Sequence, residues 1–549
     1  MENIIIYVNG IKISTNKNKT IYDIVKESSI LPDNVLFIIK NGEYCSYNEY
    51  PENGDVIQTV EEYNSTAKRI YENTCATLLY HVASKILPDK KLVIAHSMSN
   101  GLYCKINSET TNIEKYIEAL YRELTETIAK NIKINPIKVS KRDALKYFTK
   151  IGRKDTAELL KYYPENEIKL YEIESVLYWA PTPLLSSTSC IRKVDLKSYK
   201  RGFIIRYPIE GDINIIPEFT PQEKLFEIFN EHEQWGEILN LSDVSHINRA
   251  IKNGTIDEII KISEALHERK IVFIAEEINR INEEKRVAFI SGPSSSGKTT
   301  FMKRLYIQLR VLGHNIITIS LDNYYKDRKQ LIKEQGKNLN FEIPEALDLD
   351  LLKKHIKALI TGEKVKLPKF NFKLGIKEYT NEVKASNNCV ILIEGIHGLN
   401  PKITSVVNNK NVYKIYISAL THLNFDNANR IPTHELRLIR RIVRDSKFRN
   451  HDAEETIHTW AKVIEGEKNF IFPFQEEADV MFNSSLVYEL AALKRYAVNY
   501  LKKIPKTSSV YPEARRLMDI LKCFLTINEK PVPSNSILRE FIGGSSFKY

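Results

Sequence analysis

The most chemically informative stretch of the sequence begins at Gly292 and reads Gly-Pro-Ser-Ser-Ser-Gly-Lys-Thr-Thr. It follows the apolar run Arg286–Ser291, which predicts a buried strand, and it contains the complete Gly-x-x-x-x-Gly-Lys-Thr pattern of a phosphate-binding loop. Backbone N–H groups of such a loop point at phosphates, the lysine neutralises them, and the positive end of the following helix adds to the attraction. We therefore expect a nucleoside triphosphate to bind at the residues Gly292, Pro293, Ser294, Ser295, Ser296, Gly297, Lys298, Thr299 and Thr300.

Two acidic residues follow apolar runs that predict further strands. Ile316–Leu321 is followed by Asp322, and Cys389–Ile393 is followed by Glu394. Ligands bind beyond the carboxyl ends of the strands in a doubly wound parallel sheet, so both acids are expected beside the loop. Glu394 is predicted to hold Mg²⁺, and Asp322 is predicted to be the base that takes a proton from an attacking hydroxyl. The alternatives are a solvated carboxylate for Glu394 and a turn-capping aspartate for Asp322.

A cluster of arginines bears on whether the triphosphate is hydrolysed or used for transfer. Four of them, Arg437, Arg440, Arg441 and Arg444, recur at helical spacing, and a fifth, Arg449, follows closely. We interpret them as one cationic helix face that clamps a transferring phosphoryl group and excludes water. An exposed, salt-bridged helix and a nucleic-acid-binding face are the alternatives. The nearest match to a guanine-reading Asn-Lys-x-Asp motif, at 409–412, lacks the aspartate and argues against a GTPase switch.

Composition limits the classes of protein that the chain can represent. The chain has 549 residues, enough for three or four domains, and 43% hydrophobic and 27% charged residues are ordinary for a globular protein. No apolar run approaches the ~20 residues of a membrane span, and the start Met1-Glu2-Asn3 lacks a basic signal region. Six scattered cysteines without C-x-x-C spacing fit reduced thiols, so we predict a cytoplasmic protein. A net charge of +11 suits anionic substrates and leaves RNA open as a partner.

The pattern of apolar runs and turns divides the chain into four blocks. They are a β-grasp-like module at 1–62, a mixed α+β block at 68–208, a helical connector at 220–284 and the block with the phosphate loop at 285–549. The fold class predicted is multidomain α/β, with a doubly wound parallel sheet covered by helices on both faces in the last block. The helices and strands predicted along the chain include Asn3–Val8, Ile21–Glu27, Val35–Lys40, Val56–Val60, Ala67–Ile86, Thr111–Ile132, Lys141–Leu160, Ile271–Ile281, Val412–Ser418 and Ala478–Asn483.

Four further segments of the last block carry a family resemblance. These segments are Leu339–Asp348, Leu367–Phe372, Ile393–Ile396 and Leu436–Asp445. Together with the loop, they resemble the uridine kinase family over most of 285–490. The resemblance implies ATP-dependent phosphorylation of a nucleoside 5′-hydroxyl to the monophosphate. It implies the following roles: Asp322 as base, Thr299 and Glu394 around Mg²⁺, and Arg444 and Arg449 on the phosphates, beside the Lys298 that the loop motif already places there. It also places Glu342 and Arg441 near the sugar, and Tyr325 and Phe370 in the nucleoside pocket.

The sequence departs from this family on the acceptor side. Phe370 and Gly375 stand where pyrimidine-specific members have a tyrosine and a histidine that read the base. Glu342 replaces a ribose-binding aspartate, and His451 replaces the arginine that ends the lid motif. A polar contact that discriminates one base from another can change the ratio of their kcat/KM values by roughly 10⁴-fold. The base specificity of the acceptor therefore stays open, while phosphoryl transfer itself is expected.

The front half resembles the N-terminal part of threonyl-tRNA synthetase. Residues 1–62 are similar to its TGS module and 68–208 to its editing-type domain. In that domain, four positions hold metal ligands. Here these positions hold Asn73, Thr77, Tyr178 and Thr182, none of which has an imidazole or thiolate group. Zinc binding and metal-assisted editing are therefore expected to be absent. His81 and His96 are predicted to be structural. The whole order, through the C-terminal Pro533–Ser545, resembles bacterial fusions of a synthetase-like front to a uridine kinase-like domain.

A second hypothesis treats the chain as an RNA- or alarmone-responsive binding protein whose nucleotide domain is a sensor. The TGS-like module and the basic charge are compatible with it, but Asp322 and the arginines are then unexplained. The sequence leaves open the acceptor, ATP or GTP as donor, and the oligomeric state.

Overall fold

The structure, a computed structural model, describes ten stretches of the chain: residues 3–28, 36–60, 63–107, 113–239, 241–281, 285–336, 339–371, 374–407, 409–421 and 423–548. Four residues of the predicted segments, Val35, Thr111, Asn112 and Phe372, lie outside these stretches. Within them, no helix has the length and apolar character needed to cross a bilayer.

The described residues of the stretches 3–28 and 36–60 form a mixed sheet with a helix on one face. Its elements are β1 (Asn3–Val8), β2 (Ile11–Asn16), α1 (Ile21–Glu27), β3 (Phe37–Lys40), β4 (Glu43–Cys45) and β5 (Val56–Val60). The strand order is β2-β1-β5-β3-β4, with β1 parallel to β5 and the other pairs antiparallel. Alternate residues of β1 are buried and share one cluster with the apolar side of α1. The apolar residues that recur every second position in β1 and at helical spacing in α1 therefore pack together into a small separate core.

The next region combines two antiparallel sheets with helices. Its elements are α2 (Ser65–Ile86), β6 (Lys91–Met98), β7 (Gly101–Asn107), α3 (Ile113–Ala129), β8 (Asn135–Ser140), α4 (Lys141–Lys150), α5 (Lys154–Lys161), β9 (Glu167–Ile173), β10 (Val176–Tyr178), β11 (Asp195–Tyr199) and β12 (Gly202–Arg206). The sheet orders are β11-β12-β7-β6 and β10-β9-β8. The prediction of one helix over Lys141–Leu160 is wrong, because Gly152 at φ +78° turns the chain between α4 and α5.

Three helices lead into the phosphate-loop region, and a parallel sheet forms its centre. The elements are α6 (Glu223–Ile238), α7 (Val244–Asn253), α8 (Ile256–Asn279), β13 (Lys285–Ser291), α9 (Lys298–Val311), β14 (Asn315–Ser320), α10 (Arg328–Gln335), α11 (Leu349–Thr361), β15 (Lys364–Asn371), β16 (Ile376–Lys384), β17 (Cys389–Glu394), α12 (Pro401–Thr404), β18 (Val412–Ser418), α13 (Thr433–Arg444), α14 (Ala453–Phe470), β19 (Val480–Asn483), α15 (Glu489–Leu501), α16 (Tyr511–Lys522) and α17 (Arg539–Ile542). The parallel strands run in the order β14-β17-β13-β18-β19, and β15 and β16 form a separate antiparallel pair.

Both faces of the parallel sheet are covered. On β13, Val287 and Phe289 belong to a buried cluster with α11, whereas Ala288 and Ile290 belong to one with α9. A strand buried on both faces carries a continuous apolar run, which is what the sequence shows here. The predicted doubly wound sheet with helices on both faces is confirmed for this region.

The helices before the sheet pack directly onto it. Apolar residues of α8 share the cluster of α9, and Arg304 of α9 pairs with Glu268 of α8 at 2.6 Å. Residues of α6 belong to the cluster on the opposite face. Residues 220–281 are thus part of the same packed unit as the phosphate-loop region.

The segment between β18 and α13 docks into the front half of the chain. Asn424 donates its amide to the carbonyl of Ile94 at 2.8 Å, and Asp426 accepts a hydrogen bond from Thr156 Oγ1 at 2.7 Å. Nearby, Arg69 of α2 lies 3.7 Å from Glu435 in the first turn of α13. These contacts are largely buried, so the front half helps to fix the start of the helix that carries the arginine cluster.

Candidate active site

The phosphate loop connects β13 to α9, as its motif predicts. Gly292 lies so close to β18 that a Cβ atom would stand 1.9 Å from the carbonyl oxygen of Ile417. Gly297, with φ +85°, begins α9 in the left-handed region that favours glycine. The two glycines of the motif are therefore required by a close backbone approach and by a turn, respectively.

Two buried ion pairs brace the loop from beneath. Arg437 binds Glu467 through two hydrogen bonds of 2.6 and 2.7 Å, and Glu467 accepts the backbone N–H of Ser294 at 2.9 Å. Arg440 pairs with Glu489 at 2.7 Å and is fully buried. The prediction that these two arginines belong to one cationic face clamping a phosphoryl group is wrong, because each is paired with a carboxylate in the core.

Lys298 lies folded against the loop that it follows. Its Nζ donates to the carbonyl oxygens of Gly292 and Pro293 at 2.9 and 3.0 Å. Burial lowers the pKa of Lys298, and the charges of Glu394 and Asp322 act in the opposite direction. The lysine is therefore close enough to both predicted acids for their charges to act on it.

The two acids meet at the carboxyl edge of the sheet. Glu394 ends β17, is 7% exposed and accepts a hydrogen bond from Ser320 Oγ at 2.9 Å. Asp322 follows β14 in the 3₁₀ turn Leu321–Tyr324 and is exposed. Burial, followed by the charge of Asp322, raises the pKa of Glu394 to about 7. The parallel register explains the meeting, because Ser320 pairs with Glu394 across β14 and β17.

The residues at this edge fit a magnesium ion. Mg²⁺ prefers oxygen ligands from one or two carboxylates together with substrate phosphates. Burial, and then the charge of the neighbouring Asp322, disfavour the ionised form of Glu394, and a cation would offset both effects. Thr299 lies in the first turn of α9, directly after Lys298, and supplies the hydroxyl that the motif requires.

The remaining arginines of the cluster share one carboxylate. Asp445 lies 2.8 Å from Arg444 Nε, 3.3 Å from Arg441 Nε and 3.8 Å from Arg449 Nε. Burial acts to raise the pKa of Asp445, but the guanidinium of Arg444 and its neighbours hold it below its usual range. Arg441 also donates to Ser294 Oγ of the loop at 2.9 Å. Three guanidinium groups against one carboxylate leave net positive charge beside the loop.

The predicted acceptor residues Tyr325 and Phe370 form an aromatic cluster. The Tyr325 ring lies edge-on to Phe341 and Phe370, with ring centroids 5.4 and 5.9 Å apart. Burial, with the charges of Asp322 and Glu342, raises the pKa of Tyr325 well above its ordinary value. Tyr325 therefore stands close to both carboxylates.

Glu342 is half-buried, and burial raises the pKa of its carboxyl to about 7 while Arg441 acts to lower it. A Cβ atom on Gly466 of α14 would stand 2.5 Å from Cβ of Glu342, so a glycine at this position leaves the room that Glu342 occupies. Two further positions at which the sequence departs from the family are located by the structure. Gly375 directly precedes β16 and lies against Arg328, and His451 is exposed, 2.9 Å from Glu455.

Several residues at the site were not found from the sequence. Glu467 binds the loop from α14, Ser320 holds Glu394, and Glu540 near the C-terminus accepts a hydrogen bond from Thr300 Oγ1 at 2.6 Å. None of them belongs to a local motif. Only Ser320 carried a signal, since it lies near the end of the predicted strand Ile316–Leu321, close to Asp322.

Comparison with known proteins identifies the family of this region. Residues 287–490 match the phosphoribulokinase/uridine kinase family. A uridine kinase from Staphylococcus haemolyticus is 31% identical over 199 residues, which are 35% of this chain and 84% of that protein. The chain belongs to the phosphoribulokinase/uridine kinase family. A second relative, a uridine kinase from Anoxybacillus flavithermus, is 31% identical over 194 residues, 35% of this chain and 82% of its own.

The phosphoribulokinase/uridine kinase family match spans the elements of the site from β13 to α15. Among solved structures, a possible uridine kinase from Bacillus stearothermophilus aligns with 20% identity and a TM-score of 0.27, covering 39% of this chain and 98% of the other. Residues before 287 lie outside the matched range.

Proposed function

We propose that the chain is a phosphotransferase that moves the γ-phosphoryl group of ATP to the 5′-hydroxyl of a nucleoside, giving the nucleoside monophosphate. The observation that carries the proposal is the meeting of Asp322 and Glu394 with Lys298 at the carboxyl edge of the sheet. A pure nucleotide sensor needs the loop but has no use for an exposed carboxylate placed to take a proton. The uridine kinases among the relatives support a nucleoside as acceptor.

Each residue of the donor side has a role in this proposal. Lys298 and the loop N–H groups bind the phosphates, and Arg444 and Arg449 supply positive charge where negative charge develops during transfer. Magnesium held by Thr299 and Glu394 would neutralise the phosphate charge and orient the transferring group. Asp322 accepts the proton of the attacking hydroxyl, which makes the oxygen a better nucleophile.

The acceptor side is proposed to consist of the aromatic cluster and its two charged neighbours. Tyr325 and Phe370 provide apolar surface for a base, whereas Glu342 and Arg441 provide an acceptor and donors for sugar hydroxyls. With Phe370 and Gly375 in the positions of base-reading residues, we propose altered base specificity relative to pyrimidine-specific kinases.

We propose that the front half consists of a TGS-like module at 1–62 and an editing-like domain without metal at 68–208, joined by the helical region 220–284 to the kinase-like region 285–549. At the metal-ligand positions of such a domain, the Asn73 amide contacts the Thr182 hydroxyl, and Tyr178 OH lies 2.8 Å from His81 Nδ1. Side chains already engaged with one another are poorly placed to bind zinc, so a regulatory or substrate-gating role is proposed.

The proposal is tested by incubating the purified chain with magnesium-ATP and a panel of purine and pyrimidine nucleosides. Formation of a nucleoside monophosphate from at least one of them is expected, with no product when magnesium is chelated. The Lys298→Met variant, which lacks the phosphate-binding charge, is the matched inactive control. ATP turnover that is indifferent to every acceptor contradicts the proposal.

Glu342 predicts a dependence of acceptor use on pH. The pKa of its carboxyl is raised to about 7, so the group is largely protonated below that pH and ionised above it. The ionised form accepts hydroxyl hydrogen bonds at both oxygens and more strongly than the protonated form, so kcat/KM for the acceptor is expected to rise as the pH increases through about 7. In Glu342→Gln the rise should be absent and kcat/KM lower. A rise that persists unchanged in this variant assigns the titration to another group, such as Glu394.

A further inference from the structure

A C-terminal segment, residues 533–547, lies against the phosphate loop. Ile537 is fully buried, and its Cγ2 atom would stand 2.5 Å from a Cβ atom on Gly297, the glycine that begins α9. The ring of Phe541 lies 5.0 Å from the guanidinium carbon of Arg440, which itself donates to the loop carbonyl of Ser295. The segment is therefore packed onto the loop and onto Arg440, one of the two arginines that brace it.

This packing brings the carboxylate of Glu540 to the start of α9. Its Oε2 atom accepts the hydroxyl of Thr300 at 2.6 Å and lies 3.4 Å from the backbone nitrogen of Thr300. Thr300 follows the Lys-Thr pair of the motif, and N–H groups in this first helical turn have no partner within the helix. They are the donors that a phosphate-binding loop presents to phosphate oxygens.

The charges around Glu540 are those that would surround a phosphate. Glu540 acts on Lys298, opposing the loss of its proton, and on Lys303 and Arg449 in the same direction. It also adds to the rise in the pKa of Glu394. An internal carboxylate thus has the charge, the donors and the cationic neighbours of a bound phosphate oxygen.

The segment that presents Glu540 is held at several points. Arg539 donates to the carbonyls of Val532 and Glu529 at 2.6 and 2.8 Å. Lys447, in the π-helical turn that also carries Arg449, donates to the carbonyl of Ile542. The segment is therefore linked both to the loop and to the arginine turn above it.

We propose that Glu540 is an internal competitor of the triphosphate, which binds only when the carboxylate leaves Thr300. The inference rests on the proposed function only in that the ligand of the loop is a triphosphate. Repulsion between the carboxylate and the phosphates weakens donor binding, and movement of the segment couples the donor to the arginine turn through Lys447. The chain thereby sets its affinity for the donor through its own C-terminal segment.

The test is the dissociation constant of magnesium-ATP, measured calorimetrically without acceptor on the full chain and on Glu540→Gln. The variant keeps the shape but loses the charge, and binding about tenfold tighter is expected, within the usual range of such couplings. Glu118→Gln makes the same change at an exposed position of α3, away from the loop and from the segment, and should leave the constant unchanged. Equal or weaker binding by Glu540→Gln overturns the proposal, as does absence of ATP binding in both proteins.

A second measurement uses the unaltered chain. Adding magnesium-ATP is expected to speed hydrogen exchange of the amides at 537–543, because their contact with the loop is released. Unchanged or slower exchange there contradicts the proposal. Both measurements omit the acceptor, so a failure to phosphorylate any nucleoside contradicts the proposed function and leaves this inference standing.

Discussion

Replacing Asp322 by Asn is expected to lower kcat for nucleoside phosphorylation about 10²–10⁴-fold, the usual contribution of a general base. Asparagine has nearly the same shape but cannot take up the proton of the attacking hydroxyl. Asp322 is exposed in its 3₁₀ turn, so the substitution should leave the fold intact. The check is kcat with an accepted nucleoside, measured beside the dissociation constant of magnesium-ATP, which should change little.

The matched control for this variant is Asp350→Asn, an exposed aspartate in the first turn of α11. Its kcat is expected to match that of the unaltered chain. If Asp322→Asn keeps its full kcat, another group must be the base. If it instead loses ATP affinity with no separate loss of kcat, Asp322 belongs to the donor side.

Replacing Arg437 by Met is expected to lower the free energy of unfolding by about 3–5 kcal/mol, the range found when one partner of a buried ion pair is removed. Glu467, which is fully buried, would keep its charge without its bidentate partner. Because Glu467 also accepts the N–H of Ser294, the loop should loosen and ATP binding should weaken. Denaturant unfolding followed by circular dichroism measures the first effect and calorimetry the second.

An exposed arginine provides the control for this experiment. Arg280 pairs with Glu277 at the end of α8 with 68% of its side chain exposed, and Arg280→Met is expected to change stability by less than about 0.5 kcal/mol. The double variant Arg437→Met with Glu467→Gln should recover part of the loss, because the buried charge is then gone. If Arg437→Met is as stable as Arg280→Met, the pair Arg437–Glu467 does not brace the loop.

The donor side was predictable because its chemistry is local in the sequence. The loop, its strand and its helix occupy one continuous stretch, and each acid directly follows an apolar run. The pairing of Ser320 with Glu394 depends on the register of β14 against β17, which the structure supplies and the sequence pattern does not. The motif and the strand ends predict that Lys298, Asp322 and Glu394 lie close together, and the structure places them as neighbours. Their chemical roles stay predictions.

The arginine cluster was only partly predictable, for a physical reason. Helical spacing shows that the arginines share a helix, but their partners come from distant positions: Glu467 is 30 residues from Arg437 and Glu489 is 49 residues from Arg440. Glu540 is 240 residues from Thr300. Which arginines are neutralised in the core and which face the loop depends on tertiary packing, and no local pattern encodes it.

The structure also bears on the alternative of an RNA- or alarmone-responsive sensor. The front half contacts the start of α13 through Arg69 and Glu435, and α13 continues to Arg441 and Arg444 beside the loop. In the function proposed above, this helix is the physical link between a regulatory front half and the loop.

The central claim is that the γ-phosphoryl group of ATP goes to an acceptor hydroxyl instead of to water. The most direct measurement follows the reaction with magnesium and the nucleoside panel in water enriched in heavy oxygen, with the products analysed by mass spectrometry. We predict a nucleoside monophosphate whose phosphate carries no heavy oxygen, because its bridging oxygen comes from the nucleoside. Inorganic phosphate that contains heavy oxygen, with no phosphorylated nucleoside, would contradict the account.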